Sequence, residues 1–171
     1  MIKIIDKFFN EEDLRFVQDF ASRKAFYIPQ YLENVTEKNK ESFYGNRWHL
    51  NNNKDLKQLF IKQAELKFKF KINELHDGSG IDQRNLDHWK PHVDKAKLNI
   101  LIMLKGPEAV DNGTVFFNGT LDNFVLDTIV GFRENRSVLF PSDMVHSPHL
   151  SNTPKLMRYT ASLFITDYEE V

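Results

Sequence analysis

A chain of 171 residues with 41% apolar side chains and 15 phenylalanines can bury a core, roughly 70% of its unfolded surface, without a staple. Its 23 basic residues meet 24 acidic ones, a formal net charge of -1, which argues against the basic footprint of a nucleic-acid or membrane-surface protein. With no cysteine, disulfides and thiolate metal sites are excluded, so any metal ligands are His, Asp or Glu.

Met1 to Lys7 is too short and too charged for a signal segment, and no apolar run approaches a membrane span. A cytoplasmic, reducing location is the expectation. One domain is expected over residues 1–171, with no internal repeat: 1–66 as mainly helical support and 67–166 as a β core.

Asn10 can cap a helix running to about Ala21, with Leu14, Val17, Phe20 and Ala21 on one face at helical spacing. Residues 22–52 are aromatic-rich, and Tyr44 to Trp48 fits either a turn or a short strand. A second helix is expected from near Asn53 to about Leu66, with Leu56, Leu59, Phe60 and Ala64 inward. The period then changes. Phe68, Phe70 and Ile72 alternate with lysines as a half-buried strand, and His76 to Asn85, with Gly78 and Gly80, reads as a loop. Leu98 to Leu104 suits a strand buried on both faces. Thr114 to Phe117, Phe124 to Val130, Ser137 to Phe140 and Met157 to Ile165 complete a strand series. Pro107, Asp111-Asn112-Gly113 and Asn118-Gly119 supply the turn signals between them. The fold class is therefore mainly β with N-terminal helices (α+β), a sandwich or jelly roll with the helices packed on one face.

Within this frame, His92, Asp94, His146 and Arg158 stand out. In an extended segment His92 and Asp94 share a face, and Pro91 disfavours the helix that would make His88 and His92 a zinc pair. His146 follows a strand and a Pro-Ser-Asp turn, and its strand and the next are expected to pair. Two histidines and one carboxylate on one face of an octahedral metal leave three positions open, the arrangement that selects Fe(II) and dioxygen chemistry. Arg158 adds a fork suited to a dicarboxylate cosubstrate, and Thr160 and Ser162 share its strand face. A lone His-x-Asp is common and says little; order, spacing and strand context together are more specific.

The stretches His92-Val93-Asp94, Leu98 to Leu104, Gly113 to Phe117, Phe140-Pro141-Ser142, His146 and Arg158 to Ser162 resemble the 2-oxoglutarate and Fe(II)-dependent dioxygenases, the prolyl-4-hydroxylase-like branch above all. The resemblance covers about residues 68–166, and Ile4 to Ala21 is also similar. It implies a double-stranded β-helix (cupin-like) core. It implies iron held by His92, Asp94 and His146, and the distal carboxylate of 2-oxoglutarate held by Arg158 with help from Ser162 or Thr160. The cofactors implied are Fe(II), 2-oxoglutarate and O2, and the reaction is hydroxylation of an unactivated C–H bond with release of succinate and CO2. Met103 stands where many relatives carry a tyrosine, and Asn99 is the substitute cosubstrate contact. Trp89 matches an aromatic at the pocket mouth. His149 rivals His146 by its distance from Arg158. Tyr44, Arg47, His76 to Asn85 and Trp89 are the expected rim. The substrate is left open between a peptidyl side chain such as proline and a small molecule, with neither nucleic acid nor membrane as partner. Two alternatives are a cupin-type metalloenzyme in which Arg158 is structural, and a non-enzymatic jelly-roll binding module.

Overall fold

The computed structural model describes residues 1–31, 43–84, 91–149 and 157–170. Trp89 and His88 lie outside them, as does the side chain of Tyr44.

Helix α1 spans Glu11–Asp19, capped as expected: the Asn10 side chain accepts from the Asp13 amide. The chain continues through one π-helical turn, Phe20–Lys24. Helix α2, Lys54–Phe68, is capped by Asn53 and ends at Lys69, which adopts the left-handed conformation (φ 61°). The helix therefore runs two residues past Leu66, and Phe68, taken from sequence as the start of a strand, is its last inward residue. Lys69 reverses the chain, and β4 begins at Phe70 (Phe70–Leu75).

Among the described residues, three strands precede α2, so the N-terminal third is less helical than its periodicity suggests. They are β1 (Lys3–Ile5), β2 (Ile28–Tyr31) and β3 (Phe43–His49). The polar segment after β4 also contains a strand, β5 (Gly80–Arg84). It pairs with β3 on one side and, on the other, with β11 (Arg158–Glu170). The loop reading fails here because Asp82 is buried among charges rather than exposed to water. Gly80 is required where β5 meets β3, since a Cβ there would run into the Trp48 carbonyl oxygen.

The remaining strands are β6 (Leu98–Lys105), β7 (Ala109–Thr120), β8 (Asn123–Phe132), β9 (Arg136–Pro141) and β10 (His146–Pro148). Strands β7 and β8 outrun the expected segments because Asp111-Asn112-Gly113 is an irregularity inside β7, not a turn. A Cβ at Gly113 would strike the Val130 carbonyl oxygen of β8, so glycine serves close strand approach there.

The larger sheet runs β1-β9-β6-β11-β5-β3-β2, with β4 also on β11; the smaller runs β10-β7-β8. Thus β10 pairs with β7, not with the next strand β11. Alternation divides the larger sheet's side chains. Ile100, Ile102, Leu104, Ala161, Leu163 and Ile165 form one core with the helical Val17, Leu56, Phe60 and Ala64. On the opposite face, Met103, Val138 and Phe140 pack between the sheets with Phe116, Val130 and Phe132 of the smaller one. This is the expected β core with helices on one outer face. Among the described residues, no helix is long and apolar enough to cross a membrane.

Candidate metal centre

His92 and His146 are brought together by a backbone bridge between two distant segments. Each amide donates to the other's carbonyl, at 2.9 and 3.0 Å, and the Asp94 amide donates to Ser142 O at 2.8 Å. His92 and Asp94 therefore lie against the β9–β10 turn, as expected for an extended segment. The ligand atoms of His92, Asp94 and His146 all fall within 4.8 Å of one another, a group that could hold a metal ion. His146 Nε2 is 3.3 Å from Asp94 Oδ2, and His92 Nε2 is 3.8 Å from Asp94 Oδ1.

The supporting contacts set the chemistry of each group. His146 Nδ1 lies 2.9 Å from Met144 O. A carbonyl only accepts, so Nδ1 carries a proton and Nε2 is the ring atom left facing the centre. Phe116 and Phe140 pack on the His146 ring. At Asp94, burial pushes the carboxyl pKa up. The hydrogen bond to His146, the charges of His146 and His92, and the Asn99 amide outweigh it, leaving the pKa below the usual value. A carboxylate ready to ligate results.

Asn99 Nδ2 donates to Asp94 Oδ2 at 2.7 Å. The side chain expected to touch the cosubstrate thus orients a candidate metal ligand, because β6 passes directly behind Asp94. His149 lies outside the triad: its Nδ1 is 3.1 Å from Asp111 O and its amide donates to Gly113 O. The geometry selects His146 over this rival, whose distance from Arg158 along the chain had recommended it.

Arg158 enters the space between the sheets from β11, 3% exposed. Its Nη1 donates to Asn112 O and, at 2.9 Å, to Gly113 O, which fixes the guanidinium against β7. Its Nε is buried with no hydrogen-bond partner. Burial pulls the Arg158 pKa down to about 9; Arg84 pulls the same way and Asp82 opposes. Arg158 is a cation at neutral pH. Thr160 and Ser162, both buried, follow it on the same strand face.

A charge cluster that sequence reasoning missed lies beside it. Arg47 Nε and Nη2 grip Asp82 Oδ1 and Oδ2 at 2.7 and 2.8 Å, and Nη1 donates to Gly78 O. Arg47, expected at the rim, is 6% exposed. Arg84 Nη2 reaches Asp82 Oδ2 at 3.4 Å. Burial raises the Asp82 pKa, but the charges of Arg47, Arg84 and Arg158 and the Arg47 hydrogen bonds lower it further. No local sequence signal marks the cluster, because Arg47 and Asp82 meet only through the β3–β5 register.

No protein-family model and no curated protein matches the sequence. Solved structures match its fold. The non-haem alpha ketoglutarate dependent epimerase SnoN from nogalamycin biosynthesis aligns with a TM-score of 0.67 at 10% identity, covering 99% of this chain and 79% of that one. A prolyl hydroxylase from Trichoplax adhaerens, solved with a peptide fragment of a hypoxia inducible factor, aligns at 0.64 and 12%, covering 97% and 83%. HygX from Streptomyces hygroscopicus, solved with nickel and 2-oxoglutarate, aligns at 0.64 and 9%, covering 96% and 83%. The two packed sheets with helices on one face are thus the double-stranded β-helix fold that the 2-oxoglutarate oxygenases share.

Proposed function

We propose that this chain is an Fe(II)- and 2-oxoglutarate-dependent dioxygenase that hydroxylates an unactivated C–H bond, converting 2-oxoglutarate to succinate and CO2. One observation carries the reading: two imidazoles and a carboxylate converge within 4.8 Å, and β7, the strand that pairs with His146, also receives the buried Arg158, whose Nε has no hydrogen-bond partner. The residues fit the group. Nitrogen and oxygen donors with no thiolate suit non-haem Fe(II), and an arginine fork suits a carboxylate.

When bound, iron with 2-oxoglutarate and O2 supplies the oxidising chemistry. The chain's own residues hold and orient. His92, Asp94 and His146 are the metal ligands, with the Met144 carbonyl fixing the His146 tautomer and Asn99 fixing the Asp94 carboxylate. Arg158 takes the distal carboxylate of 2-oxoglutarate, with Thr160 and Ser162 as hydroxyl donors beside it. Phe116 and Phe140 keep water from the back of His146. A peptidyl side chain such as proline is the first substrate class to test, since one protein of this fold is solved with a peptide. A reducing cytoplasm suits an oxidisable ferrous centre.

The test is succinate production from 2-oxoglutarate under air with Fe(II) and ascorbate. Wild type is expected to form succinate, and Asp94→Ala is expected to form none. Equal succinate from both proteins, or none from either alongside no 2-oxoglutarate binding, overturns the proposal.

A further inference from the structure

The strand pairing that seats His146 also reaches Arg158. Strand β10 runs antiparallel to β7, with His146 opposite Phe116 and Pro148 opposite Thr114. One residue further on, the His149 amide donates to Gly113 O at 3.0 Å. Register thus sets His149, three residues past a candidate metal ligand, on the irregular segment Asp111-Asn112-Gly113 of β7. Its ring is held there too. Nδ1 lies 3.1 Å from Asp111 O, and a carbonyl only accepts, so Nδ1 carries a proton.

Asn112 ties the same segment from its other end. Its Nδ2 donates to Pro107 O at 2.6 Å, across the turn between β6 and β7. The carbonyls fixed in this way are those that hold Arg158: Asn112 O and Gly113 O both accept from Nη1. Among the described residues, Nη1 makes all the hydrogen bonds of Arg158, and the buried Nε makes none. With Nη1 anchored, the guanidinium plane is fixed. Its side-on edge, Nε with Nη2, is left to take a carboxylate through two parallel bonds. A fork already held in its binding orientation loses less freedom when the ligand arrives.

We propose that Asn112 and His149 are positioning residues for Arg158: they fix the two carbonyls that aim its open edge, and so set selectivity for dicarboxylic over monocarboxylic 2-oxo acids. This rests on the oxygenase reading above. It gives His149 a role at the cosubstrate arginine rather than at the metal.

The test is calorimetry on the Mn(II)-loaded protein with 2-oxoglutarate and with 2-oxovalerate, which lacks the distal carboxylate. In Asn112→Ala and in His149→Ala, affinity for 2-oxoglutarate is expected to fall about tenfold, the scale of one hydrogen bond to a charged group. Affinities for 2-oxovalerate and for Mn(II) are expected to stay unchanged. His149→Asn, whose side-chain amide offers an N–H where Nδ1 stands, is expected to recover most of the loss. Contacts that only brace the fold would weaken both acids alike. That result, unchanged selectivity in either alanine variant, or no recovery in His149→Asn overturns the inference and leaves the oxygenase reading standing. Arg158→Gln is expected to show the same selective loss; full selectivity there also overturns the inference. A wild type that binds no 2-oxoglutarate sinks the oxygenase reading itself. Should Asn112→Ala not fold, His149→Ala carries the test, since that residue is only half-buried and its amide still donates to Gly113.

Discussion

Asn99, expected at the cosubstrate, is seen in the structure against Asp94. Its amide holds one oxygen of Asp94, which disposes that carboxylate to offer the metal its other oxygen. Supporting residues of this kind typically contribute ten- to a hundredfold in metal affinity. Asn99→Ala is therefore expected to weaken Mn(II) binding by about that factor, measured by titration with the apoprotein. An unchanged constant would return Asn99 to the role of packing. Asp82 makes a second prediction. Its pKa is depressed in the folded protein, so its contribution to stability is present above the unfolded value of about 3.9 and is lost as pH falls through the lower folded value. Near neutral pH, Asp82→Asn removes one partner of a buried pair, a loss of about 3–5 kcal/mol. The stability gap between variant and wild type, read from urea unfolding at a series of pH values, should narrow below about pH 4. A gap constant with pH would mean that the ion pairs do not stabilise the fold.

At the scale of elements, the helices were legible because their signals are local. Asn10 and Asn53 cap them, and the spacing of Val17 and Ala21, and of Leu56, Phe60 and Ala64, marks the inward face. Strand β6 was legible because it is apolar on both faces. Strand β5 was not, because only Ile81 is a buried apolar residue there, while its other face carries Asp82 and Arg84, whose placement depends on cross-strand partners far away in sequence. His92, Asp94, His146 and Arg158 were picked out by side-chain chemistry and order, and the fold brings the first three together. The roles of Asn99, Arg47 and Asp82 could not be read in that way, since each follows from strand register rather than from residue type. Gly113 was misread for a related reason: a glycine that lets two strands approach looks in sequence like a glycine in a turn. Gly113→Ala is expected to destabilise the protein by more than about 2 kcal/mol, since strand backbone must shift. A thermal melt matching wild type would contradict the close β7–β8 packing.

For the whole molecule, the fold places an apolar core on one side of the larger sheet and a mixed, charge-bearing interior on the other. The first stabilises; the second carries the candidate metal ligands and Arg158. Metal and cosubstrate should consequently act as stabilisers in combination. At about 100 times its dissociation constant, 2-oxoglutarate should add about 2.7 kcal/mol to the Mn(II)-loaded protein. Without metal, the gain at the same concentration should be smaller, because only Arg158 and its neighbours remain to hold the acid. Identical melting curves with and without the two ligands would favour a jelly-roll binding module instead.

The account stands most directly on the metal centre. Iron content per chain, measured after anaerobic Fe(II) loading and desalting, tests it. About one ion is predicted in wild type and in His149→Ala, with iron lost in His92→Ala, Asp94→Ala and His146→Ala. Full iron content in His146→Ala, or its loss in His149→Ala alone, would contradict the triad described for this fold.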